Sequence, residues 1–182
     1  MAYVSKEEQV KNLLIDLKQI INSRNADIAI NILKWTKEKI LLDENEKNRQ
    51  YYHSRNRKSN NPRIVKRGYI YGANLGKNIG SEQNGHSRPV VIIQETKDNA
   101  NSPTIIVAPL TDAHDKNGNL KRLLPSHVLI NNPQLSKESI IKLEHCRCIS
   151  KNRLTEFMCN LNKDRNSINE INKKLNYVFC IK

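Results

Sequence analysis

The sequence predicts an α+β protein in which an N-terminal helical hairpin precedes a small antiparallel β-barrel with a C-terminal helix packed on it. Three observations predict this. Apolar residues recur at helical spacing over the first 42 positions; from residue 66 onward they collect in short β-branched runs bounded by Gly, Pro, Asn and Ser; a last helical stripe closes the chain.

Taken in order, Ser5 followed by Glu8 forms a capping box, and Val10, Leu13, Leu14, Leu17 and Ile21 mark the apolar face of a first helix. The stretch "NSRNAD" supplies Asn and Asp to stop that helix and cap the next, whose stripe runs through Ile28, Ile32 and Trp35 and drifts toward Ile40 and Leu41. From "DENEKNRQYYHSRNRKSNNP" onward the periodicity disappears, so residues 43–65 are expected to be a charged linker between the hairpin of residues 1–42 and a domain over residues 66–182. Its Tyr51 and Tyr52 beside Arg55, Arg57 and Lys58 have the composition of a stacking clamp for a single strand, although such a run reads first as a solvated connector. Five strands are then expected, in "RGYIYGANL", "RPVVIIQ", "SPTIIVAPLT", "SHVLI" and "SIIKLEHCRCI", enough for a compact barrel. Ile168, Ile171, Leu175 and Val178, spaced by three, four and three, give the final helix.

Among the 182 residues, 31 Lys and Arg face 18 Asp and Glu, a net charge of +13 that favours polyanionic partners. Nucleic acid is the first candidate and an anionic membrane the second, but no apolar run approaches about 18 residues and "MAYVSKEEQV" lacks the layout of a signal peptide. A cytoplasmic protein with no membrane association is expected. The four cysteines, Cys146, Cys148, Cys159 and Cys180, all lie in the last quarter, which does not suit a disulfide scaffold. His145, Cys146 and Cys148 sit together, but paired zinc cysteines are spaced by two or more intervening residues, so buried thiols are expected, with no metal and no cofactor.

The string "GSEQNGHSRP", residues 80–89, puts a carboxylate, an amide, a histidine and an arginine where a plain hairpin would need only two turn residues. In the succession "KRGYIYGANLGKNIGSEQNGHSRPVVIIQ", "NSPTIIVAPLT", "LPSHVLI" and "LSKESIIKLEHCRCISKNRL", residues 66–155 resemble the MazF/PemK family of type II toxin–antitoxin endoribonucleases, block by block and in order. The resemblance implies an SH3-like barrel of the PemK type that forms a homodimer and cuts single-stranded RNA without metal. It assigns catalysis to Arg88, just before the Pro of the second strand, and to Thr111, at the end of the third. RNA contact falls to the loop residues Ser81, Glu82, Gln83 and His86, and to Glu144 near the groove. The family partner is an acidic, flexible antitoxin that wraps the basic toxin, which the charge suits as well as RNA does.

The chemistry of these residue types agrees. RNA carries its own nucleophile, the 2′-hydroxyl, so an enzyme has to align it with the phosphate, move one proton and stabilise charge on the phosphorane oxygens. Arg88 offers phosphate a planar fork of donors, Thr111 a hydroxyl donor on a rigid strand end, and Glu82, His86 or His114 can take the proton. Glu82 and Gln83 can read the edges of splayed bases, with Gly80 and Gly85 letting the backbone approach. The expected products are 2′,3′-cyclic phosphate and 5′-hydroxyl ends. Without the resemblance, Arg88 reads as a surface ion-pair partner, Thr111 as a strand-end hydroxyl and Glu82 as a solvated loop charge. His127, inside "LPSHV", reads as structural.

The chain departs from the family pattern at Tyr69 and Asn74, where Asp is frequent, at His145 and Cys148, and by one extra residue, His86 or Ser87, before Arg88. These departures keep two other readings in view, a gyrase-poisoning toxin with a similar barrel and a noncatalytic member that only binds nucleic acid. The hairpin lies outside the resemblance; its two stripes must be buried on each other, on the barrel or on a second subunit, and it is expected to restrain the RNA groove.

Overall fold

The structure, a computed structural model, describes residues 5–56, 65–100 and 102–181. The backbone groups into two units that divide between Leu41 and Leu42. The first holds helix α1, Lys6–Ile20, and the start of α2, Ala26–Asn56. Ser5 caps α1 by accepting from the Glu8 backbone N–H at 3.2 Å. Asn22 and Asn25 build the turn, Asn25 returning its side-chain amide to the Ile20 carbonyl at 2.9 Å. Helix α2 continues through the first part of the expected linker as far as Asn56. Residues 43–50 lack apolar periodicity but consist largely of Glu, Lys, Arg and Gln with no Gly or Pro, which is good helix material without an apolar face. The side chains of Tyr51, Tyr52 and Arg55, and residues Arg57 and Lys58 altogether, lie outside the described residues. No helix among the described residues is long and apolar enough to cross a membrane.

The second unit carries seven strands: β1 Tyr69–Ala73, β2 Arg88–Ile92, β3 Thr104–Asp112, β4 His127–Ile130, β5 Ser139–Lys142, β6 Arg147–Ser150 and β7 Leu154–Asn160. A four-residue helix α3, Thr96–Asn99, precedes β3, and α4, Arg165–Val178, ends the fold. The strands run in the order β4-β5-β3-β2-β1-β7, with β6 on β3, all antiparallel. The long strand β3 joins two halves: Thr104–Val107 pair with β6 and Leu110–Asp112 with β5.

The expected fold class holds, while the list of strands is corrected. The run "SIIKLEHCRCI" is not one strand but β5 and β6, broken by a 3-10 turn at Leu143–His145, and "LTEFMCN" forms the unexpected β7. In addition, no ladder among the described residues joins β4 to β7, so the barrel stays open. Helix α4 packs on β4 and on the 3-10 turns at Leu143–His145 and Leu161–Lys163, so a helix takes the place of a closing ladder. Ile171 inserts into the core there, with Ile168, Leu175 and Val178 beside it, as the stripe predicts.

Both faces of the central strands are buried. Along β2 and just beyond, Val91 and Ile93 join Ile70, Leu110 and Ile141 in one cluster, while Val90 and Ile92 join Tyr71, Ile105 and Ile149 in another. A strand covered on both sides reads as a continuous apolar run, which explains "VVII". This rigid pair of layers fixes the ends of β1, β2 and β3, and the candidate site is built on those ends.

Candidate active site

The segment between β1 and β2 is a constructed loop. Gly76 and Gly85 bridge each other through paired backbone hydrogen bonds of 3.1 and 3.0 Å, and both take positive φ, 73° and 133°. Inside that bridge Asn78 ties the loop to itself: its backbone N–H donates to the Asn84 side chain at 2.5 Å and its side-chain amide to the Gln83 carbonyl at 2.9 Å. From the far side, Arg153 in the turn just before β7 donates to the Asn74 and Leu75 carbonyls at 2.7 and 2.8 Å. Asn74 in turn accepts the Ser87 N–H at 2.9 Å, so the Asn at this departure position ties the two ends of the loop together. Tyr69 instead joins an aromatic group, its ring centroid 5.3 Å from that of Phe157.

Arg88 begins β2, immediately after the loop. Its Nε donates to the Asn84 carbonyl and its Nη1 to the Leu110 carbonyl at 3.1 Å, so the guanidinium is clamped between the loop and β3. Partial burial lowers its pKa from the ordinary arginine value, but a guanidinium stays cationic at any working pH. Thr111 follows Leu110 on β3. The β2–β3 ladder ends with Val90 opposite Pro109, and beyond it Arg88 reaches the carbonyl of Leu110, the residue before Thr111. Arg88 and the Leu110–Thr111 end of β3 are far apart in sequence and are brought to one place by this pairing.

Of the loop residues, Ser81, Glu82 and His86 are exposed and Gln83 is half-buried. Glu82, though exposed, is partnered: its carboxylate pairs with Arg147 on β6 at 2.9 Å, which ties the loop tip to the sheet. His114 lies 3.4 Å from Glu138. Glu144 is engaged elsewhere, with one oxygen accepting from Ser126 at 2.7 Å and the other 2.8 Å from His127 Nε2. Because His127 Nδ1 accepts from the Leu124 N–H at 3.2 Å, the ring proton is on Nε2 and donates to Glu144. Burial would raise the Glu144 carboxyl, but the hydrogen bonds from Ser126, its own backbone and His127 outweigh this and hold it below the ordinary value. His127 is thus buried and structural, and Glu144 holds the "LPSHV" segment to the turn after β5.

Sequence reasoning overlooks Arg147 and Arg153. In the sequence both stand inside the block "LSKESIIKLEHCRCISKNRL", and nothing short of the strand pairings shows that they reach back to the loop. Among the described residues no three His, Cys, Asp or Glu side chains are grouped so as to hold a metal ion. Cys159 is buried and Cys146 half-buried, each thiol pushed up by burial, whereas Cys148 and Cys180 are exposed.

Residues 66–179 match the family described as PemK-like, MazF-like toxin of type II toxin–antitoxin system. The chain is 42% identical over 104 residues to an endoribonuclease MazF of Staphylococcus epidermidis, covering 56% of this chain and 82% of the relative. It is 44% identical over 95 residues to an endoribonuclease MazF of Staphylococcus saprophyticus, covering 51% and 74%. Among solved structures, a MazF from Deinococcus radiodurans superimposes with a TM-score of 0.53 at 20% identity, over 66% of this chain and all of that one. An endoribonuclease from a mycobacterial species, in complex with its cognate antitoxin, superimposes with a TM-score of 0.51 at 17% identity, over 65% and 97%. At those identities the structural likeness speaks for the fold.

Proposed function

The chain belongs to the PemK-like, MazF-like toxins of type II toxin–antitoxin systems, and from that premise we propose that it is a sequence-specific endoribonuclease that cuts single-stranded RNA without a metal. The observation that carries the reading is the guanidinium of Arg88, held through Nε on the Asn84 carbonyl and through Nη1 on the carbonyl of Leu110, the residue before Thr111. With two of its N–H groups fixed on carbonyls, the remaining donors of the fork face a phosphate at no further ordering cost, which is the preorganisation that charge stabilisation needs.

The 2′-hydroxyl oxygen attacks the adjacent phosphorus and its proton passes to a base on the loop or strand edge. The bond to the 5′-oxygen breaks, and that oxygen takes up a proton to leave as a hydroxyl, giving a 2′,3′-cyclic phosphate on the other fragment. Arg88 and the Thr111 hydroxyl donate to the nonbridging oxygens. Ser81, Glu82, Gln83 and His86 read the bases beside the cut, and Glu82 must exchange its Arg147 partner to do so. The active form is a homodimer, and its restraint is an acidic antitoxin segment drawn to the basic surface.

The test is purified protein on a long single-stranded RNA in EDTA, beside Arg88→Ala, with fragment ends mapped by sequencing. Discrete cuts at one recurring sequence, reduced in Arg88→Ala by about 100- to 1,000-fold, are expected. Intact RNA from folded wild-type dimer overturns the reading.

A further inference from the structure

The extra residue ahead of Arg88 has a constructed setting. Ser87 takes a left-handed backbone with φ 44°, one of two non-glycine residues among the described ones to do so. Such a conformation persists in a non-glycine residue where the surroundings over-determine it, and here three bonds do. The Ser87 N–H donates to Asn74 at 2.9 Å, its Oγ donates to a Glu156 carboxylate oxygen at 2.5 Å, and the same Oγ lies 2.9 Å from the Thr155 hydroxyl. Thr155 and Glu156 belong to β7, two strands from β2 across β1.

Gly72 on β1 supplies the space. Its backbone has no positive φ and needs no glycine, yet a Cβ there would lie 2.3 Å from Ser87 Oγ, 2.2 Å from Thr155 Oγ1 and 2.9 Å from Glu156 Oε1. The missing side chain is therefore the notch in which the three side chains meet. Hydrogen bonds from Ser87 first, then Thr155, push the Glu156 carboxyl down to about 2, so the acceptor is ionised at any pH used for an assay.

We infer that Ser87, seated in the Gly72 notch and tied to Thr155 and Glu156, positions the Arg88 guanidinium for the reaction. The two residues are consecutive, so the tie that fixes Ser87 fixes the direction in which Arg88 leaves the loop toward the Asn84 and Leu110 carbonyls. Ser87 touches no substrate; it acts through Arg88, and this role rests on the ribonuclease reading above.

The experiment compares Ser87→Ala, Ser87→Gly, Glu156→Gln and Glu156→Ala with wild type by two readouts: the Arg88 Nε–H resonance of the RNA-free protein, and kcat and KM on a short RNA containing the cut site. Ser87→Gly keeps the left-handed backbone without the hydroxyl and guards against a variant that merely misfolds. Both Ser87 variants are expected to move the Arg88 Nε–H resonance and to lower kcat about tenfold or more with KM within about twofold, since small misplacements act on the chemical step. Glu156→Ala should match them, Glu156→Gln should recover part of the rate, and Ser87→Ala with Glu156→Ala together should be no slower than either alone. An unmoved resonance in both Ser87 variants, or full wild-type kcat in Ser87→Gly, overturns the inference. RNA left intact by wild type, with the resonance still moved in the variants, sinks the ribonuclease reading while the clamp on Arg88 stands.

Discussion

At the level of single residues, the site is a set of side chains whose partners are now specified, and each partner makes a prediction. Glu144→Ala leaves the buried His127 Nε2–H without its acceptor and is expected to cost about 1–3 kcal/mol in urea unfolding. The pH dependence has a definite sign. The folded Glu144 carboxyl lies below the ordinary 4.5, so its stabilising bonds are complete above that value and are lost as pH falls through the lower folded value. Wild type should therefore lose stability on acidification below about 4.5, and Glu144→Gln should lose less over the same range. For the proton acceptor, Glu82→Gln, His86→Ala and His114→Ala should be compared by pH–rate profile. One of them is expected to lose about 100- to 10,000-fold in kcat together with the acid limb; three unchanged profiles would remove all three from the role. Arg88 and Thr111 were singled out in the sequence by the family resemblance, with which phosphate chemistry agrees, whereas the Ser87, Thr155 and Glu156 tie was not visible there. Serine, threonine and glutamate are ordinary loop and strand-edge residues until a missing Cβ at Gly72 brings them together.

Elements matter here through their ends. Strand β3 is long enough to serve two ladders, and this is what carries Leu110 and Thr111 to the mouth of the site after Ile105 and Val107 have been anchored in the core. The turn just before β7 contributes Arg153 to the beginning of the loop, and β7 itself contributes Thr155 and Glu156 to its end. Arg153→Ala is expected to leave the Asn74 and Leu75 carbonyls short of a donor, costing about 1–3 kcal/mol and lowering cleavage, as measured by thermal unfolding and RNA turnover. Helix α4 should tolerate changes on its outer face, but Ile171→Ala empties a core position and is expected to cost about 2–5 kcal/mol in urea unfolding. The helical stripes at both ends of the chain were readable from spacing alone. Strand β7 was not, because its middle residues Glu156 and Phe157 are exposed and only its ends, Leu154 and Cys159, are buried. Nor was the continuation of α2 past residue 42, since an all-polar helix carries no periodic signal.

The whole molecule is a strongly basic chain with a net charge of +13, and its dealings with RNA should show it. Affinity for single-stranded RNA is expected to fall steadily with salt, with a log–log slope of about −0.7 for each phosphate neutralised. A flat salt dependence between about 50 and 200 mM would mean that the charge does not serve RNA binding. By itself the sequence determined the hairpin, the mixed class and the β-rich second unit. Those depend on local pattern: apolar spacing, turn residues and side-chain chemistry are written in order along the chain. Only the tertiary structure decided that the barrel stays open under α4, that Glu82 is paired with Arg147, and that Glu144 serves the "LPSHV" segment. It also decided that Ser87 is tied to Glu156 of β7 in the space left by Gly72. These are contacts between residues tens of positions apart, and which strand lies beside which is set by burying two apolar faces at once, a condition no single segment carries.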